Sequence, residues 1–189
     1  MDFCFNGVQS ELEYIAWKLA SNAGKLSFTT TNNATYANEF DLDYDVYDEL
    51  KQATKTDWAN ASSADVIGDL AKLVKYAKDH KLNPKFAFVN LDELYKICSS
   101  EQVIKACASY LANAVGMAQT PDLTAVNAML AKQAWLNGIQ LRVIDQTITR
   151  EFTDGTSTSG NPFENSRLIL SETERLGTCL LYTSPSPRD

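Results

Sequence analysis

Three aspartates at alternate positions, Asp41, Asp43 and Asp45, spell the D-x-D-x-D opening of a calcium loop, whose hard oxygen ligands suit that cation. Such a loop needs glycine at its sixth position and glutamate at its twelfth, where this chain has Val46 and Gln52. The run therefore reads as carboxylates on the solvent face of a strand, a surface that would suit a basic partner. His80 is the only histidine and follows Asp79 at a helix end, where the helix dipole favours imidazolium. Without a second histidine it reads as a capping or surface residue rather than a general base. Asp92 and Glu93 are potential general acids, but Glu93 already has a place in a helix cap. Cys98 and Cys107 are nine apart, Cys4 is remote, and no C-x-x-C pair exists, so no zinc set can be assembled from Cys and His; buried, reduced thiols of a cytosolic protein are expected. There is no G-x-S-x-G, G-x-x-x-x-G-K-[ST] or G-x-G-x-x-G. No catalytic, cofactor-binding or metal-binding residue is assigned, and the chain is not expected to be an enzyme. Trp17, Trp58 and Trp135 are expected in the core, with Trp58, in a polar stretch between Asp57 and Asn60, the one to consider as a binding platform.

The elements that must hold these residues can be traced along the sequence. Leu12, Ile15, Ala16, Leu19 and Ala20 form the stripe of an amphipathic helix over Gln9 to Ala23, one face of which must pack, and Gly24 closes it. Leu26 to Thr31 and the alternating Thr35 to Val46 read as a strand pair with one acidic face, joined by Asn32-Asn33. A polar helical stretch is expected from Asp48 to about Asp57. Ser62 with Asp65 resembles a capping box for the helix carrying Val66, Ile67, Leu70, Leu73, Val74 and Ala77, which Asn83-Pro84 ends. Phe86 to Val89 reads as a buried strand. Asn90 with Glu93, Ser99 with Gln102, and Thr120-Pro121 start three further helices, and Asn137-Gly138 stops the last. Ile139, Leu141 and Val143 alternate as a strand, and Ile148 to Phe152 is expected to pair with Arg167 to Leu170. Strands flanking a helical middle give an α+β order.

Composition bounds what such a fold can do. The 189 residues carry 24 acidic against 17 basic groups, a formal charge of −7 and a pI of about 4.7. The 44% apolar content suffices for one or two cores, and the acidic balance argues against broad binding to nucleic acid or acidic membranes, which needs clustered Lys and Arg. The longest uncharged stretch, Ala106 to Pro121, is too short and too polar to span a membrane, and no signal peptide is evident at Met1, so the sequons at Asn33 and Asn60 are expected to be idle. The last eleven residues, Cys179 to Asp189, break with the rest. Read back into DNA they match one frame of a transposase adapter used in shotgun library preparation. They are expected to be an adapter-derived artefact.

Taken in order, several motifs resemble those of tailed-phage major capsid proteins with the Hong Kong 97-type fold, most closely the lambda-type capsid protein E family. They are a helix ending at Gly24-Lys25, an aspartate-rich strand at Phe40 to Asp45, Trp58, a Ser-Ala-Asp-Val-Ile-Gly-Asp-Leu helix start at Ser63 to Leu70, and a Pro-x-Phe-x-Phe-Val-Asn strand from Pro84. Then come a Gly-Ile-x-Leu-x-Val-Ile-Asp strand at Gly138 to Asp145, a Thr-Asp-Gly-Thr turn at Thr153, Pro162-Phe163, and Leu176-Gly-Thr178. The resemblance implies the end of a spine helix at 1–25, peripheral-domain strands at 26–61, and a mainly axial domain, with a mixed sheet and flanking helices, at 62–178. An N-terminal arm with an extended hairpin, and closing peripheral strands, would lie outside the two ends. It further implies a structural subunit of the virion, assembled in the host bacterial cytoplasm with copies of itself into pentamers and hexamers that enclose the DNA genome, with scaffold, portal or decoration proteins as further partners and no cofactor. Two other readings are an acidic α+β binding module of another phage or bacterial assembly, acting through Asp41, Asp43 and Asp45, and a carboxylate-dependent hydrolase.

Overall fold

The computed structural model describes residues 2–28, 40–110, 120–151 and 155–175. Helix α1 (Asp2–Ser21) leads into β1 (Lys25–Phe28), which pairs antiparallel with β2 (Phe40–Asp43). After a single 3-10 turn at Asp48–Leu50 come α2 (Val66–Asp79), β3 (Phe86–Val89), α3 (Leu91–Ser99), α4 (Glu101–Tyr110) and α5 (Leu123–Lys132). A 3-10 turn at Ala134–Leu136, β4 (Gln140–Val143), the hairpin of β5 (Ile148–Glu151) and β6 (Ser157–Gly160), and β7 (Leu168–Ser171) complete the order, an α+β arrangement as expected. The adapter-like tail, Cys4's side chain and the sequon at Asn33 lie outside what is described.

Strand β3 organises the interior. It pairs parallel with β4, the crossover being made by α3 to α5, and antiparallel with β7, giving the order β4-β3-β7. Both faces of this sheet are covered, which is why Phe86-Ala-Phe-Val89 is continuously apolar. Ala87, Val89 and Leu141 join Leu70 and Val74 of α2, Ile97 of α3, and Val126 and Leu130 of α5 in the main core. On the other face Phe88 meets Trp17 of α1 at 5.1 Å between ring centroids, and Trp17 in turn lies 6.1 Å from Phe163. Leu70 and Leu141 are wholly buried, so truncating either to alanine costs about 2–5 kcal/mol.

Several local expectations are corrected by longer-range contacts. The strand Ile148–Glu151 pairs with Ser157–Gly160, not with Arg167 to Leu170, because Leu168 and Leu170 are drawn onto the core beside β3. The polar stretch after Asp48 makes one 3-10 turn and no α-helix. Asp65, not Ser62, caps α2 by accepting the Gly68 N–H at 3.0 Å, and α5 starts two residues later than the expected Thr120-Pro121, with Asp122 as its cap accepting the Ala125 N–H at 2.8 Å. Asn90 caps α3 as expected, accepting from Glu93 N at 2.8 Å. Helix α2 stops before Asn83-Pro84, at Asp79, and just past its His80 cap the left-handed Lys81, with φ of 65°, lets Leu82 N–H reach Ala77 O at 2.9 Å. At the end of α1 the first left-handed residue is Ala23, with φ 54°, and Gly24 follows at φ 80°, donating to Leu19 O at 2.9 Å.

Candidate functional site

The residues singled out for chemistry are dispersed. Asp41 and Asp43 lie on β2, but Asp45 follows it in the left-handed region, φ 47°, and its N–H donates to Asp43 Oδ1 at 2.9 Å. Lys25, opposite on β1, pairs with Asp43 Oδ2 at 2.9 Å. That hydrogen bond, with the ion pair, holds the Asp43 carboxyl below the ordinary aspartate range. The continuous acidic face expected at Asp41, Asp43 and Asp45 is therefore broken by geometry and partly neutralised. His80 is the exposed C-cap of α2; its Nδ1 lies 2.9 Å from Tyr76 O and its ring 4.3 Å from that of Tyr76. Glu93 is buried and bonded to Lys96, while Asp92 beside it is exposed. Cys98 and Cys107 are buried and unbridged, and burial pushes their thiol pKa values up, that of Cys107 to about 11. Among the described residues no cluster of His, Cys, Asp and Glu is arranged to hold a metal ion, and no helix is long and apolar enough to cross a membrane.

The tryptophans divide three ways. Trp17 is half-buried between Phe88 and Phe163, and Trp135, expected in the core, is 60% exposed on the 3-10 turn after α5. Trp58 is buried, and its indole N–H donates to Asp69 Oδ2 at 3.2 Å. The same oxygen accepts the Thr56 hydroxyl at 2.6 Å and the Thr56 N–H at 3.1 Å. Trp58 is thus the anchor that ties the polar 51–58 segment to α2. Burial acts to raise the Asp69 pKa, and the hydrogen bonds from Thr56 and Trp58 together outweigh it, leaving the carboxyl below its ordinary value. Next to this knot, Gln102 of α4 donates to Asp65 Oδ1 at 2.7 Å and accepts from Ile67 N at 3.0 Å, so it caps α2 rather than its own helix.

One surface stands out as a site. The apolar stripe of α1 adds no residue to the main core; Leu12 and Ala16 are exposed and Ile15, Leu19 and Ala20 half-buried. The helix is held instead through its polar and aromatic side: Glu11 takes both Arg150 Nε (3.0 Å) and NH2 (2.8 Å), Arg150 lies over the Tyr14 ring, Lys18 pairs with Glu164 at 2.6 Å, and the Ser21 hydroxyl accepts the Glu164 N–H at 3.0 Å. Leu12, Ala16, Leu19 and Ala20 line a groove of about 1580 Å³. Its other walls are Tyr44 to Ala59, the Leu73–Ala77 end of α2 with Leu82, and β7. Residues 167–170 line it while none of β3 does, so it opens along the unpaired edge of β7. Exposed Leu12, Tyr44 and Leu50 add apolar area at its rim. The amphipathic signal in α1 was legible in sequence; that its stripe would face a groove was not, since periodicity names a face but not its partner.

No protein-family model matches this chain, and neither does any curated protein or solved structure.

Proposed function

We propose that the protein is a structural subunit of a phage head, built to assemble with copies of itself into an icosahedral shell around the DNA genome. The observation that carries this reading is the orientation of α1. A helix whose apolar stripe adds nothing to the main core, and instead lines a groove beside a sheet edge, supplies surface for a neighbour. Shell stability is a sum over repeated contacts between copies, so a subunit needs matched surfaces and no reactive centre. The order of motifs shared with tailed-phage capsid proteins supports the same reading. Within it, 1–25 is the end of a spine helix, 26–61 is peripheral and 62–178 mainly axial, and the chain has no catalytic residue, metal or cofactor of its own. Pentamers and hexamers, contacts with scaffold, portal or decoration proteins, and a place in the virion follow from the same proposal.

The negative net charge of −7 also suits a container for DNA, because a wall of that sign does not trap phosphates by counterion release. Sedimentation tests the proposal. Expressed together with its natural flanking coding sequence, the chain is expected to pellet as shell-sized particles visible in negative stain. A species that stays at the top of the gradient at every concentration would contradict it.

A further inference from the structure

We infer that Asn137-Gly138 is a site of spontaneous deamidation that the fold holds shut, so that opening one end of the central sheet is recorded as an irreversible change in the chain. The pair lies where the β4-β3-β7 sheet ends. There Lys85 N–H donates to Ser171 O at 2.8 Å and Gln140 N–H to Lys85 O at 2.9 Å, tying the end of β7 to the starts of β3 and β4. A polar clip continues the connection beyond the ladder. Glu172 Oε1 accepts the Asn83 N–H at 2.6 Å, and Asn137 Nδ2 donates to Asn83 Oδ1 at 2.7 Å and to Pro84 O at 2.9 Å. Lys85 Nζ donates in turn to Asn137 O at 3.1 Å. Half-buried Asn137 is thus the residue through which the segment leading into β4 is fastened to the segment leading into β3.

An asparagine followed by glycine is open to deamidation because no side chain shields the nitrogen that attacks. The Gly138 nitrogen bonds to Asn137 Cγ and gives up its proton, the bond from Cγ to Nδ2 breaks, and ammonia carries the proton away. Water then opens the cyclic imide to leave aspartate, or isoaspartate with the chain running through the side-chain carbonyl; nothing is oxidised or reduced. Gly138 is exposed, and no other residue comes within 4 Å of the place a Cβ would take, so neither burial nor crowding hinders the step. Conformation does. At φ 59° and ψ 21°, Asn137 turns the Gly138 nitrogen away from its own side chain. Bringing that nitrogen round rotates the 137–138 peptide, whose carbonyl is the one held by Lys85 Nζ, and the leaving amide is itself anchored by Asn83 Oδ1 and Pro84 O. The product cannot rebuild the clip, since a carboxylate has no N–H to give. Asn83 can turn its amide round to donate to it, but the Pro84 carbonyl cannot, and two acceptors are left face to face.

The inference stands apart from the proposed assembly role. Asn6-Gly7 on α1 is the other Asn-Gly pair of the sequence and supplies an internal reference. Peptide mapping by mass spectrometry, following amide-to-acid conversion site by site at pH 8, is expected to find both pairs reacting at similar rates in urea. In the folded chain, conversion at Asn137 is expected to be about tenfold slower or more than in urea. Lys85→Met frees the 137 carbonyl and Asn83→Ala removes one acceptor of the amide. Each is expected to speed the folded-state reaction at Asn137 severalfold and leave that at Asn6 unchanged, with the same far-UV dichroism. Asn137→Asp, made directly, is expected to melt several degrees below the parent chain. A folded chain that converts Asn137 as fast as in urea, a rate at Asn137 indifferent to both clip variants, an acceleration that Asn6 shares, or an Asn137→Asp variant as stable as its parent would each overturn the inference. The comparison of folded with unfolded parent needs no variant, so it decides even where a variant fails to fold.

Discussion

Asp69 is 2% exposed, with three donors converging on Oδ2 while Oδ1 has no hydrogen bond and lies 3.7 Å from Lys72 Nζ. A carboxylate so held is stabilised in its charged form, and its folded pKa lies below the ordinary value of 3.8. Its contribution to stability is therefore complete above the unfolded value and drains away as pH falls from about 4 through the lower folded value. Asp69→Asn is expected to lower stability by about 1 kcal/mol at pH 7, the difference between charge-assisted and neutral hydrogen bonds. Urea titrations should show that gap closing as the pH is taken below 4. Trp58→Phe keeps the ring and removes the indole donor, and is expected to cost about 1 kcal/mol in the same assay. Neither residue advertised this role in sequence. Trp58 drew notice for sitting among polar neighbours, but its partner is eleven positions away on α2, and only the fold brings Asp69 to it. The buried thiols were legible, and they carry their own test. With Cys4 and Cys179 replaced by serine, Cys98 and Cys107 should stay unreactive toward a disulfide reagent at pH 8 until the chain is unfolded.

At the scale of elements, the turn that ends α1 holds two residues in left-handed backbone, and they should respond to substitution in opposite senses. Ala23 carries a Cβ at φ 54°, so Ala23→Gly relieves strain and is expected to raise stability by about 1 kcal/mol. Gly24 sits at φ 80°, and a Cβ there would fall 2.7 Å from Val46 Cγ2, so Gly24→Ala is expected to lower the melting temperature by several degrees. Thermal melts of the two variants decide it. Element types were readable where period and composition agreed, as in α2, β3 and β4. Caps and pairings were less so, because the deciding partners are remote. Gln102 reads as the N3 residue of a local box, yet its amide serves Asp65 and Ile67, 37 and 35 residues away. Strand β5 takes the adjacent β6 across a short hairpin, and β7 is taken by the core instead.

For the whole molecule, no described residue of α1 belongs to the main core cluster, although Trp17 covers Phe88 on the opposite face of the sheet. That cluster is built from α2 to α5 on one face of the β4-β3-β7 sheet, and α1 is fastened to the other face by Trp17 and by ion pairs at the half-exposed edge. The Arg150–Glu11 pair is bidentate and part-buried, so these contacts fasten α1 firmly by its polar side while its apolar stripe lines the groove. That division between a finished core and an unfinished surface is the physical basis for regarding the chain as a tile. The α+β order and the amphipathic helix were visible in sequence; the groove was not, because it is formed by segments from both ends of the chain. The decisive measurement is a cryo-electron microscopy map of particles formed by the chain with its natural flanking sequence. Five-fold and six-fold clusters whose subunits meet through the α1 stripe and the groove are the expected result. Particles that leave both surfaces facing solvent, or a preparation holding only single subunits, would contradict the account.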